Sequence, residues 1–176
     1  MIQDCEMINQ PYSGEFEERI YDNQSPWNSS SWTYVKFINS DFSEWCGVFR
    51  GQGRKTATSK LRNEILVLTS DYLWRLNRTN GKLIEIDDQP QYQNLTVAPN
   101  GDFILADYYN IIRMNESIKN PIEISSPIQM DMIKFKEWNG NKLNINCDEF
   151  MNWDNQIELE LNVENWKIEI KNDTQQ

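Results

Sequence analysis

The chain has 176 residues, of which 39% are hydrophobic and 12% aromatic, enough to form a hydrophobic core and to exclude wholesale disorder. Its net charge of −10 disfavours binding to nucleic acids or anionic membranes and favours binding to basic partners. Histidine is absent, which excludes catalytic pairs and zinc or iron sites that depend on an imidazole. We therefore expect a protein that is not an enzyme and needs no cofactor or metal, although catalysis by carboxylates alone stays open.

The beginning of the sequence carries no pattern of a targeting segment. The first twenty residues lack a basic stretch followed by an apolar one, so we expect no secretory signal. No apolar run reaches the roughly 20 residues that span a bilayer. The three cysteines, Cys5, Cys46 and Cys147, have no metal-like spacing and are expected to be reduced thiols. These features predict a cytoplasmic protein.

In chain order, we expect one domain over residues 1–176, beginning with an irregular segment over 1–31. Residues 7–22 leave room for a short helix. Residues 32–171 are predicted to form β repeats, and 172–176 a disordered tail. The predicted strands are short apolar or alternating runs, covering residues 64–70, 72–77, 82–87, 102–107, 110–114, 132–138, 142–147, 156–161 and 166–171.

Two Asn-Gly pairs separate neighbouring strands and are strong turn signals. Asn80-Gly81 lies between the second and third of these strands. Asn139-Gly140 joins residues 132–138 to residues 142–147 and predicts a hairpin. The last two strands alternate apolar and charged residues, so each has one buried and one solvated face, as in an antiparallel sheet.

An internal repeat with an offset of 38 residues is the most informative feature of the sequence. Residues 73–77 align with 111–115, residues 84–86 with 122–124, and residues 64–66 with 102–104. A period near 40 residues built from three or four short strands is typical of a propeller blade. The run from Leu95 to Asp107, with its Pro99-Asn100-Gly101 turn, resembles the blades of NHL- or WD-type propellers, without their Gly-His and Trp-Asp signatures. We expect an all-β fold of antiparallel meanders, either a small β-propeller or a propeller-like stack.

The segment from Cys147 to Asp154 is the main candidate for a binding site. It combines Asp148, Glu149 and Asp154 with Phe150 and Trp153, in a predicted loop between two strands. Aromatic side chains ringed by carboxylates suit an interface with a basic protein. The alternative is that the aromatic residues cap the sheet core while the acids face water. Asp87 and Asp88 form a secondary acidic edge.

The stretch from Arg50 to Arg62 is polar, glycine-bearing and positively charged. One interpretation is a loop that binds phosphate or an acidic partner. The other is a mobile hairpin connection that pairs with the protein's own excess of acids, and we favour it because no aromatic residues interleave with the charges.

Residues 32–37 and 44–51 resemble segments of small bacterial immunity proteins, which are encoded beside toxins and are often compact, acidic and β-rich. The resemblance implies a tight complex with a cognate toxin domain, often basic, whose functional surface the acidic loops block. We therefore expect a non-catalytic protein that neutralises a partner, with Asp148, Glu149, Phe150, Trp153 and Asp154 in the interface. One alternative is a propeller-like protein that binds or cleaves carbohydrates through loop carboxylates. Another is an interaction scaffold.

Overall fold

The computed structural model describes residues 1–171, apart from the side chain of Trp153. Within that range the chain forms sixteen strands and no helix. The strands are β1 (Ile2–Ile8), β2 (Glu17–Tyr21), β3 (Trp32–Asn39), β4 (Glu44–Arg50), β5 (Gly53–Ser59), β6 (Glu64–Thr69), β7 (Tyr72–Asn77), β8 (Leu83–Asp88), β9 (Asn94–Val97), β10 (Phe103–Ala106), β11 (Ile111–Met114), β12 (Ile122–Ile124), β13 (Met130–Asn139), β14 (Lys142–Glu149), β15 (Asn152–Asn162) and β16 (Lys167–Ile170). The chain divides into two compact units, Met1–Gln91 and Tyr92–Gln176.

The first unit contains two four-stranded sheets. In the first sheet the strand order is β1-β3-β4-β2, and β2 runs parallel to β4 while the other pairs are antiparallel. In the second sheet the strands β5 to β8 follow one another as an antiparallel meander. Strand β6 is buried along almost its whole length, which explains its continuous run of Ile, Leu and Val.

Aromatic side chains dominate the core of the first unit. The ring of Phe37 stacks on Trp45 at 4.2 Å between centroids, and Phe49 stacks on Tyr21 at 4.4 Å. Trp74 of β7 is fully buried and meets the Phe49 ring edge-on at 5.9 Å. These contacts join side chains from both sheets into one core, and aromatic pairs of this kind add about 0.5–1.5 kcal/mol each beyond their buried area.

The second unit also contains two four-stranded sheets, both antiparallel meanders, with orders β9 to β12 and β13 to β16. Alternate residues of β14 are buried, and its apolar residues Leu143 and Ile145 pair across the sheet with Leu161 and Leu159 of β15. These four side chains are fully buried and belong to a core that also includes Ile104 from the other sheet of this unit.

The fold confirms the expected all-β class. The nine predicted strands all exist, with boundaries shifted by a few residues, and β13 and β14 form the hairpin predicted at Asn139-Gly140. The 38-residue repeat corresponds to the meanders β5 to β8 and β9 to β12, which have the same strand order. The closure of the four sheets into a propeller stays a prediction.

Three expectations need correction. Residues 1–31 are not irregular, since they contain β1 and β2. Residues 17–21, within the range where a short helix was thought possible, form a strand. Strand β2 lacks apolar alternation and forms because it pairs with β4, a long-range contact that local pattern does not reveal. The basic stretch 50–62 is largely strand β5 and not a loop. The predicted tail, residues 172–176, lies outside the described residues.

Candidate functional site

The connection between β14 and β15 is much shorter than the predicted loop. Glu149 ends β14 and pairs with Asn152, the first residue of β15, so only Phe150 and Met151 form the turn. Met151 has a φ of +63°, which is unusual for a residue with a side chain and lets the chain reverse in two residues. The turn presents Phe150 and Met151 to solvent, with 42% and 79% of their surface exposed.

Phe150 is held in place by a backbone hydrogen bond and a ring contact. Its N–H donates to the carbonyl oxygen of Gln129 at 2.9 Å. Its ring meets the ring of Tyr109 edge-on, with 6.0 Å between centroids. Tyr109 lies in the turn between β10 and β11, and the Asp107 carboxylate fixes this turn by accepting the N–H groups of Tyr109 and Asn110 at 2.7 Å each. The two exposed rings therefore belong to turns that hydrogen bonds hold in place.

A pocket of about 550 Å³ opens beside these rings in the second unit, and we call it the Phe150 pocket. Its volume lies within the range of small-molecule pockets in proteins, roughly 300–1,000 Å³. Its wall includes apolar, amide and hydroxyl groups and one carboxylate. The lining residues are Tyr109, Asn110, Glu123, Ile124, Ser126, Ile128, Gln129, Met130 and Phe150.

The predicted acidic residues of the hairpin have different surroundings. Glu149 accepts hydrogen bonds from the side-chain amides of Asn155 and Asn152, each at 3.0 Å, and these bonds lower the pKa of its carboxyl group. Asp148 lies opposite Asp131 on β13. It also borders a recess of about 120 Å³ that contains Lys134 and Lys136, so the charge around Asp148 is mixed.

The structure therefore brings some of the predicted residues together and separates others. Asp148, Glu149 and Phe150 lie at one end of the β14–β15 hairpin, and Asp154 is exposed on β15 of the same hairpin. The side chain of Trp153 lies outside the described residues. Asp87 and Asp88 belong to the edge strand β8 of the first unit.

Sequence reasoning missed three of the residues that shape this site, namely Tyr109, Glu123 and Met130. Two adjacent tyrosines, Tyr108 and Tyr109, in a turn between two strands were one available signal, because turns seldom need aromatic residues. The other was the 38-residue repeat, which makes Glu123 the counterpart of Glu85.

The third cysteine lies on β14 of this hairpin and belongs to the hydrophobic core of the second unit. Cys147 is buried, and burial raises the pKa of its thiol to about 11. A thiol with such a pKa stays protonated at neutral pH and is a poor nucleophile. Among residues 1–171 we find no group of three or more cysteine or carboxylate side chains placed to hold a metal ion.

Over the same described range, the chain contains no helix that is long and apolar enough to cross a membrane. Comparison with protein-family models finds none that matches the sequence, and no curated protein matches it either.

Proposed function

We propose that this chain is a non-catalytic, cytoplasmic binding protein that neutralises a cognate protein by occluding its functional surface. The most concrete form of this proposal is an immunity protein bound to a basic toxin domain. The observation that carries it is the open Phe150 pocket, which has two exposed aromatic rings and the exposed Glu123 carboxylate of β12, beside the acidic β14–β15 hairpin.

The aromatic rim supports recognition of a protein partner. Tyr109 and Phe150 expose 50% and 42% of their surface although both lie in turns held by hydrogen bonds. Rigid, exposed aromatic side chains bury much area on binding and lose little conformational entropy, which is why interface hot spots are rich in them.

The surrounding charges support a basic partner. Glu123 lines the pocket, and Asp148, Glu149 and Asp154 lie on the neighbouring hairpin. Residues 92–176, the second unit, carry fourteen acidic and seven basic side chains, so the net charge of this unit is negative. Such a field accelerates the encounter with a basic protein and makes the association rate fall with salt.

The chemistry of the pocket supports binding rather than catalysis. Glycoside hydrolysis typically requires two carboxyl groups on opposite sides of the bond, and a single carboxylate lines this pocket among the described residues. Cys147 lines the separate recess beside Asp148, and its raised pKa keeps the thiol protonated at neutral pH. With no histidine in the sequence, the Glu123 carboxylate is the general-base candidate of the Phe150 pocket, and the described lining offers no second carboxyl group to act as the acid.

The test is capture of partners from native lysate at low salt, followed by a high-salt wash and identification of the retained protein by mass spectrometry. The proposal expects one stoichiometric basic partner whose own activity is inhibited by added purified protein. A captured protein whose activity is unchanged at saturation contradicts the neutralising function.

A matched pair of variants locates the interface. Asp148→Lys with Glu149→Lys changes the hairpin, while Glu164→Lys with Glu169→Lys makes the same charge change in the β15–β16 turn and on the edge strand β16. We expect inhibition to be lost in the first variant and kept in the second. Equal inhibition by both variants would move the interface away from the hairpin.

A second candidate, carbohydrate binding, is favoured by the exposed pair Tyr108 and Tyr109 beside the pocket. Tyrosine rings offer an apolar face for a sugar ring and a hydroxyl for hydrogen bonding. A glycan-binding screen with the native protein and Tyr109→Ala distinguishes the two functions. Binding of a defined glycan that is lost on this substitution supports the carbohydrate function, and retention of no glycan argues against it.

A further inference from the structure

The two repeat units use equivalent glutamates in different ways. In the first unit Arg75 bridges two carboxylates, donating to Glu64 and to Glu85 at 2.5 Å each. Arg75 and Glu85 lie opposite each other on β7 and β8, so both side chains project from the same face of the sheet. Glu85 is thus part of a structural ion pair that is largely buried.

In the second unit the corresponding arginine pairs with one carboxylate, and the glutamate that corresponds to Glu85 takes no part. Arg113, 38 residues after Arg75, lies 3.7 Å from Asp102, and its guanidinium stacks on Trp166 at 4.3 Å from the ring centroid. Glu123 is the counterpart of Glu85, but the register differs and Glu123 lies opposite Ile112 instead of Arg113. A register shift of one residue turns a side chain to the other face of the sheet.

Glu123 therefore does not form an ion pair like the one that its counterpart Glu85 forms with Arg75. Within residues 1–171 its carboxylate makes no hydrogen bond or ion pair, and it lines the Phe150 pocket. None of the nine lining residues is a lysine or arginine. The pocket thus offers a negative charge for which this part of the chain supplies no cation.

The remaining walls of the pocket define what kind of cation fits. Ile128 and Met130 provide an apolar surface suited to a hydrocarbon stem. The rings of Phe150 and Tyr109 can stack against a flat cation, and guanidinium is the side-chain group that best combines stacking with bonding to a carboxylate.

We propose that the Phe150 pocket receives an arginine side chain of the partner protein, with its guanidinium bonded to the Glu123 carboxylate and its stem against the apolar wall. This inference rests on the proposed function and deepens it by naming the group that is recognised. Charge complementarity selects arginine over an apolar anchor, since an apolar side chain would bury the Glu123 carboxylate without a partner.

The experiment uses the isotope-labelled full chain and short capped peptides with one central arginine, titrated by NMR. We expect the arginine peptide to shift the amide resonances of Phe150 and of residues 123–130. The same peptide with citrulline, which has the shape of arginine without its charge, should leave them unchanged. Equal shifts from the citrulline peptide, or equal affinity for a lysine peptide, would overturn the assignment to arginine.

Two variants show whether Glu123 is the recognising group. Glu123→Gln should weaken binding of the arginine peptide about fivefold or more, from the lost charge-assisted bond. Glu169→Gln removes the same charge on β16, at the opposite edge of the sheet from β13, and should leave affinity unchanged. Unchanged affinity in a folded Glu123→Gln variant would overturn the inference.

Failure of this inference and failure of the proposed function give different results. A captured partner that requires Asp148 and Glu149 but binds Glu123→Gln normally overturns the arginine pocket and leaves the neutralising function intact. Conversely, a captured partner whose activity is not inhibited overturns that function, and the peptide titration still decides the chemistry of the pocket.

Discussion

Asp131 of β13 and Asp148 of β14 lie directly opposite each other in the antiparallel ladder, and both are half-buried. Opposite residues of such a pair have Cβ atoms about 5 Å apart, so like charges there oppose folding. Within residues 1–171 the Asp148 carboxylate makes no hydrogen bond or ion pair that would offset this repulsion. Lys134 and Lys136 beside Asp148 reduce this repulsion, and a basic partner of the kind proposed above would reduce it further.

We expect Asp148→Asn to stabilise the isolated protein by about 0.2–1 kcal/mol, because it removes the repulsion with Asp131. Urea unfolding at low and high salt measures the change, and the gain should shrink as salt screens the charges. Glu164→Gln, which removes one acidic charge in the turn between β15 and β16, controls for the change in net charge. A loss of stability in Asp148→Asn would contradict this account of the pair.

The hairpin charges should control how fast the partner binds. Reversing both charges, with Asp148→Lys and Glu149→Lys, should slow association by about an order of magnitude at low salt, with a much smaller effect on dissociation. Stopped-flow kinetics with the captured partner at several salt concentrations measures this. If the association rate at low salt is unchanged, the hairpin lies outside the interface.

Gly81 should be far less tolerant of a side chain than Gly140. Both glycines have positive φ angles, +73° and +58°. A Cβ atom at Gly81 would come within 2.8 Å of the Trp45 ring, whereas a Cβ atom at Gly140 meets no atom within 4 Å. Gly140→Ala therefore measures the backbone strain alone.

We expect Gly140→Ala to cost about 1 kcal/mol of unfolding free energy. Gly81→Ala should cost about 3 kcal/mol because it adds the clash with the buried indole. Chemical denaturation of the two variants gives the difference. Equal losses would mean that the ring of Trp45 moves aside without cost.

Tyr21 should make the stability of the first unit fall at alkaline pH. Burial raises the pKa of its hydroxyl to about 12, and this hydroxyl donates a 2.6 Å hydrogen bond to the Gly81 carbonyl. Between about pH 10 and pH 12 the unfolded chain has released this proton while the folded protein still holds it. Stability from this group is complete below pH 10 and is lost as pH rises, by up to about 1.4 kcal/mol per pH unit.

Unfolding free energies of the native protein and of Tyr21→Phe at about pH 9 and about pH 11 test this. The variant should be less stable at pH 9 by about 1 kcal/mol, because it lacks the hydrogen bond. The difference should narrow or reverse at pH 11. Parallel pH dependence in the two proteins would contradict the shifted pKa.

Local patterns predicted the regular part of this fold well. The Asn139-Gly140 pair marks the expected hairpin, in which Gly140 and Asn141 form the two-residue loop, because such a turn is determined by neighbouring residues. Strand β2 was missed because Glu17–Tyr21 has no such alternation, and its pairing with β4 depends on residues far along the chain.

The candidate site was only half predictable. The sequence pointed to Phe150 and its acidic neighbours, because aromatic and acidic residues between two strands are an unusual combination. It could not pair Phe150 with Tyr109, about forty residues earlier, since that contact depends on how the turns of different sheets meet. Strand β14 extends to Glu149 and strand β15 begins at Asn152, so a two-residue turn replaces the expected loop.

The sequence by itself determined the all-β class, the 38-residue repeat and the acidic character of the hairpin, because these follow from residue periodicity and charge. Only the tertiary structure decided the role of Glu123. In the repeat it is the counterpart of Glu85, which pairs with Arg75, but the register of β11 and β12 places it opposite Ile112 and not Arg113. Register depends on how a whole sheet packs, so the same residue at equivalent positions is an ion-pair partner in one unit and a pocket carboxylate in the other.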